Sequence, residues 1–85
     1  MKFKAEIFIS LKPTVSDPQG MTIAGGLEQL GFESIEEVRA GKFIEMSFAA
    51  ETLDSAKNMV ADMCGKLLAN PTIENYRYEI KSADL

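Results

Sequence analysis

Arg39 and Lys42 lie on either side of Ala40-Gly41. Two cations at a turn are an arrangement that can grip a phosphate or a carboxylate. The commoner use of such residues is solvated charge at the end of a hairpin. A second polar group, Lys12 with Gln19-Gly20, brackets Pro13, Asp17 and Pro18. A strand end, a loop and a helix cap explain Pro13, Asp17 and Pro18 in full. They leave Lys12 and Gln19-Gly20 without a folding role. Catalytic alternatives are few. The 85 residues include no histidine and one cysteine, Cys64. A Ser-His or Cys-His nucleophile pair is therefore impossible, and a zinc set is all but excluded. No side chain here titrates near neutrality without a perturbed environment. A phosphate cradle of the acylphosphatase kind needs a glycine or arginine nest between the first strand and the first helix. Residues 12–17 offer Pro13 and neither of those. Cys64 falls on an apolar helix stripe and reads as a buried structural thiol.

The elements that position these residues follow from periodicity. Residues 2–12 alternate, with Phe3, Ala5, Ile7 and Ile9 on one face and Lys2, Lys4 and Glu6 on the other. That is a half-buried strand. Phe8 is an aromatic on its polar face. Pro13 ends the ladder because it has no N–H. Asp17-Pro18 opens a helix as N-cap and N1. Ile23, Leu27 and Leu30 recur along it, and Gly31 takes the left-handed position after it. Gly25-Gly26 conflicts with this helix, at about 1 kcal/mol per glycine against alanine. Close backbone packing or a locally weak helix would account for the pair.

Residues 34–39 and 42–49 read as two strands joined at Ala40-Gly41. Thr52 caps a long helix whose apolar stripe includes Leu53, Ala56, Val60, Cys64 and Leu67, and Asn70-Pro71 stops it. A last strand runs from about Ile73 to Lys81, with Tyr76, Tyr78 and Ile80 on one face. The order βαββαβ predicts an α+β, ferredoxin-like domain: a four-stranded antiparallel sheet, order 4-1-3-2, with two helices on one face. Ile7, Ile9, Ile44 and Met46 would form the core. Phe8 and Phe43 would meet on the open face, which suggests that another chain covers it. They are the candidates for self-association.

A chain this short forms one domain and buries only roughly 60–65% of its unfolded surface, so help from a partner is expected. A net charge of −4 argues against nucleic acid. No apolar run approaches the ~20 residues that span a bilayer, and Glu6 interrupts any signal-like start. A cytoplasmic protein is expected.

Three runs carry a resemblance. Lys12-Pro13 is followed by Asp17-Pro18-Gln19-Gly20; Leu30-Gly31-Phe32 by Val38-Arg39 and Gly41-Lys42; and Asn70-Pro71 by Glu74 and Tyr76. Jointly, over nearly the whole chain, they resemble the PurS family, the small subunit of phosphoribosylformylglycinamidine synthase. The sequence departs from the family at Gly25-Gly26.

The resemblance implies one PurS-like domain over residues 1–85, with no catalytic, cofactor or metal site of its own. It implies a homodimer or tetramer that joins a glutaminase and a synthetase subunit and assists ammonia transfer. The complex would convert formylglycinamide ribonucleotide to its amidine, consuming glutamine and ATP. ATP and Mg would bind in the synthetase subunit. No membrane or nucleic-acid partner is implied. Lys12, Gln19, Arg39 and Lys42 are the candidate partner contacts, with Arg39 foremost because its fork can hold a carboxylate at two points.

The alternative is a small-molecule-binding regulatory module of ferredoxin-like fold. An RNA-binding module would also place aromatics on the open face, but it would want basic charge and a basic-glycine-aromatic third strand. Here that strand reads Lys42-Phe43-Ile44-Glu45.

Overall fold

Alternation sets the first element. The structure, a computed structural model, describes residues 1–83. Strand β1, Lys2–Leu11, buries Phe3, Ala5, Ile7 and Ile9 almost completely. It is the centre of a three-stranded antiparallel sheet. On one side lies β2, Gly41–Ala49, in a register that sets Phe8 against Phe43. On the other lies β3, Glu74–Ser82, with Arg77 opposite Phe8. The strand order is β2-β1-β3.

Two helices complete the chain: α1, Pro18–Gln29, and α2, Leu53–Met63. In α2, Thr52 Oγ1 accepts the Ser55 N–H at 3.0 Å, Ala56 and Val60 are buried, and Val60 packs with the core of β1. A π-helical turn, Cys64–Leu68, follows it directly. The core joins Ala5, Ile7 and Ile9 to Val60, Cys64 and Ala69, with Ile44, Met46, Tyr78 and Ile80 partly buried around them.

The expected fourth strand is absent. Residues 34–39 pair with no strand, so the sheet has three strands rather than four and the order 4-1-3-2 does not hold. The reason is a competing set of bonds. The Ala40 N–H donates to Asp17 Oδ2 at 2.7 Å, and Arg39 Nη2 donates to the carbonyls of Lys12 and Val15. The segment is thereby tied to the start of α1 and runs straight into β2, where a hairpin would have folded it back. With that strand removed, the expected neighbours of β1 are the observed ones.

Two helices on one face also needs correction. Only α2 and its π-helical turn join the core; α1 contributes nothing to it and buries Gly20 alone. The radius of gyration is 16.6 Å, with extents of 51 × 31 × 15 Å. A compact chain of this length would have a radius of about 12 Å. The apolar stripe of α2 also ends differently. Leu67 is 84% exposed and Leu68 packs on the core, because a π turn holds more residues than an α turn and shifts the inward position by one.

Candidate functional site

The three distinctive runs converge. Residues 11–20 leave β1, residues 38–42 enter β2, and residues 70–74 enter β3, all at one end of the sheet. Asp17 is the hub of this junction. As the N-cap of α1 it accepts the Gly20 N–H on Oδ1 at 2.9 Å, and its other oxygen takes the Ala40 N–H. Both bonds favour the carboxylate, first that from Gly20 and then that from Ala40, with Arg39 adding a smaller effect. They hold Asp17 below its ordinary pKa of 3.8. Gly20 is required here. A Cβ on it would collide with the Val38 carbonyl oxygen. Gly41 is the parallel case, since its Cβ would lie 2.5 Å from the Ile9 carbonyl oxygen.

Arg39 fastens the same junction from the other side. Its Nη2 reaches the Lys12 carbonyl at 3.0 Å and the Val15 carbonyl at 2.8 Å. Both bonds come from this one nitrogen, and both acceptors belong to its own chain. The Lys12 N–H donates to the Ile73 carbonyl at 2.8 Å, which joins the loop after β1 to the start of β3. Lys42 Nζ lies 3.5 Å from Glu74, which also accepts the Asn70 N–H at 2.7 Å. Gln19 is exposed. It shares with Asp17, Lys42 and Glu74 a shallow cleft of about 200 Å³. The junction thus brings Lys12, Gln19, Arg39 and Lys42 to one end of the molecule. Sequence reasoning gave Asp17 a capping role only and assigned nothing to Gly20. Their joint role was not visible, because Asp17 and Ala40 are 23 residues apart.

Phe8 and Phe43 lie elsewhere, on the helix-free face. Their ring centroids are 5.0 Å apart, and the Arg77 guanidinium sits 4.0 Å over the Phe8 ring. Phe43 remains 51% exposed. Beyond the aromatics, Glu45, Glu6 and Glu79 are register partners across the three strands, and Ser47, Lys4 and Lys81 form the next row. Lys4–Glu45 at 2.8 Å and Lys81–Glu6 at 3.7 Å pair the two rows. Accepting that Lys4 bond, Glu45 raises the Lys4 pKa above its ordinary value. Arg77 was missed in the sequence because Tyr76 and Tyr78, on the other face, set the reading of that strand.

Chemically the junction is a fastening. Its carboxylate and guanidinium are engaged with backbone groups. Cys64 is buried, and burial pushes its thiol up from the ordinary range. Among the described residues no group of three His, Cys, Asp or Glu side chains could hold a metal ion, and no helix is long and apolar enough to cross a membrane.

The family model described as PurS, phosphoribosylformylglycinamidine (FGAM) synthase, matches residues 4–82. The chain belongs to the PurS family. Among curated PurS subunits of phosphoribosylformylglycinamidine synthase, that of Synechocystis sp. is 39% identical over 82 residues, covering 96% of this chain and 82% of its own. That of Bacillus subtilis is 38% identical over 79 residues, 93% of each chain. Two solved structures are similar as well. Methanocaldococcus jannaschii PurS matches with a TM-score of 0.84 and 38% identity, covering 96% of this chain and 99% of that one. A chain of PurLQS from Thermotoga maritima matches with a TM-score of 0.86 and 31% identity, covering 95% and 99%. Most of the residues that carry the PurS resemblance in the sequence lie at this junction, whereas Leu30-Gly31-Phe32 lies at the far end of α1.

Proposed function

We propose that this PurS chain is the small, non-catalytic subunit of a phosphoribosylformylglycinamidine synthase. It joins the glutaminase and synthetase subunits, so that ammonia released from glutamine reaches formylglycinamide ribonucleotide during de novo purine synthesis. The observation that carries this reading is the family match over residues 4–82. The similar Thermotoga maritima chain belongs to a PurLQS structure, which supports a joining role. ATP and Mg bind in the synthetase subunit, and the complex works in the cytoplasm.

The chain acts as a homodimer or tetramer. Its shape supports association: the exposed area is 6218 Å², where a compact monomer of this mass would expose about 5,000 Å². Phe8 and Phe43 are the self-association candidates on the open face. Lys12, Gln19, Arg39 and Lys42 face the larger subunits from the junction. Arg39 serves there by shaping the loop as well as by contact.

The test is assembly. The purified chain should sediment as a dimer or larger at micromolar concentration and should bind both larger subunits. Given glutamine and ATP alone, it should release neither glutamate nor ADP above background. Turnover that survives repurification would overturn the non-catalytic reading. Failure to bind either subunit would overturn the joining role.

A further inference from the structure

The antiparallel register divides the helix-free face into rows. Phe43, Phe8 and Arg77 form one row, and Gly41, Ser10 and Asn75 form the next. The first row is bulky and the second is small. The step between them leaves a hollow of about 370 Å³, which Phe8, Ser10, Gly41, Asn75 and Arg77 help to line. That volume lies at the small end of the range for ligand sites, about 300–1,000 Å³. The Gly41 corner cannot take a side chain without disturbing β1, because a Cβ there would strike the Ile9 carbonyl oxygen.

Lys4 and Lys81, on the same face, pair with Glu45 and Glu6. Arg77 differs from them. Among the described residues it pairs with no carboxylate, not even Glu79 two residues along the same face of β3. Its guanidinium stacks 4.0 Å over the Phe8 ring, which holds it at the wall of the hollow and leaves the N–H groups at its edges. The Ser10 hydroxyl and the Asn75 amide make no side-chain hydrogen bond among the described residues. Lys42, also at the rim, is held by Glu74 at 3.5 Å. The hollow therefore gathers a guanidinium, a hydroxyl and an amide that no acceptor of the fold engages.

We propose that this hollow binds a small free monocarboxylic acid. The two carboxylate oxygens take the Arg77 fork, Ser10 and Asn75 supply further donors, and the apolar body of the acid rests against Phe8. A dianionic phosphate is the poorer ligand. Glu6 and Glu79 occupy the neighbouring row, where they oppose a second negative charge.

The inference does not depend on the joining role. The site adjoins Phe8 and Phe43, so binding is measured on the purified chain in its assembled form. Benzoate is the probe, followed by amide chemical shifts, with inorganic phosphate as the comparison. Benzoate should give saturable shifts centred on residues 8–10, 41 and 75–77, and phosphate should bind more weakly. Arg77→Gln should weaken benzoate binding by roughly tenfold or more, and Arg77→Lys, which keeps the charge without the fork, should recover only part of it. If Arg77→Gln melts early, Ser10→Ala combined with Asn75→Ala tests the same site, since neither side chain is bonded in the fold; it should weaken benzoate several-fold.

Shifts that rise linearly without saturating, or equal affinity in the folded variants, would overturn the site. Phosphate binding as tight as benzoate would overturn the carboxylate class. Sedimentation at saturating benzoate supplies the last measurement and should be unchanged. Dispersal of the assembly by benzoate would overturn the free acid as occupant, because the hollow would then hold a carboxylate of another copy.

Discussion

The β-sheet with α2 and the part of the chain around α1 are held together by different physics. In the first, Ala5, Ile7, Val60 and Cys64 are fully buried, and the hydrophobic effect does most of the work. In the second only Gly20 and Asp17 are buried, and attachment depends on a few directed bonds. Asp17 bonds to Gly20 and Ala40, and Arg39 bonds to Lys12 and Val15. A core tolerates bond loss and fails on cavities. A clasp tolerates volume change elsewhere and fails when one bond is removed. The region with the weak internal core is also the one that leaves Met21 and Phe32 exposed.

The largest effect separating the two regions should come from the core. Ile7→Ala should cost about 2–5 kcal/mol in urea denaturation and unfold the chain as a whole. If it costs no more than a substitution in α1, the core does not dominate and the contrast fails. Gly20→Ala comes next. Its new methyl group would strike the Val38 carbonyl, so α1 must move away from residues 38–40. Hydrogen exchange should quicken across residues 18–40 by an order of magnitude or more, while β1 amides keep their protection. Uniform acceleration across both regions would mean that they are one cooperative unit.

Acid gives a smaller and more selective effect. The folded pKa of Asp17 lies below its ordinary 3.8, so its stabilising contribution is complete above that value and disappears as pH falls through the folded one. Residues 18–40 should therefore lose exchange protection below about pH 4. Asp17→Asn should remove that step and also loosen α1 at neutral pH, because an amide NH2 would face the Ala40 N–H. A pH profile unchanged in Asp17→Asn would show that another group opens the clasp. The smallest effect is a gain. Gly25→Ala and Gly26→Ala should each favour helix α1 by roughly 0.5–1 kcal/mol, seen as slower exchange within Pro18–Gln29. No slowing would mean that the α1 helix is already limited by its ends.

The core was legible in the sequence because alternation and helical spacing are local signals. Ile7, Ile9, Val60 and Cys64 were all placed correctly from them. The caps were legible as well. Gly31 has a φ of +98°, and the Phe32 N–H returns to the Leu27 carbonyl, as the leucine-glycine-phenylalanine run implies. The fourth strand was misread because Ile35 and Val38 satisfy a strand's composition, whereas the bonds that divert the segment come from Asp17 and Arg39. No local pattern reports such long-range polar bonds. Leu67 was misplaced because the sequence does not announce a π turn. The junction was partly legible: its residues stood out as polar residues that local folding did not require, but their convergence depends on the fold.

The joining role is most directly tested by assaying amidine formation with the synthetase and glutaminase subunits, with and without this chain, using either glutamine or added ammonia. Omitting the chain should greatly reduce glutamine-driven activity and leave most ammonia-driven activity. Equal losses with both nitrogen sources would contradict the account, because they would place this chain in the synthetase chemistry instead of the coupling between subunits.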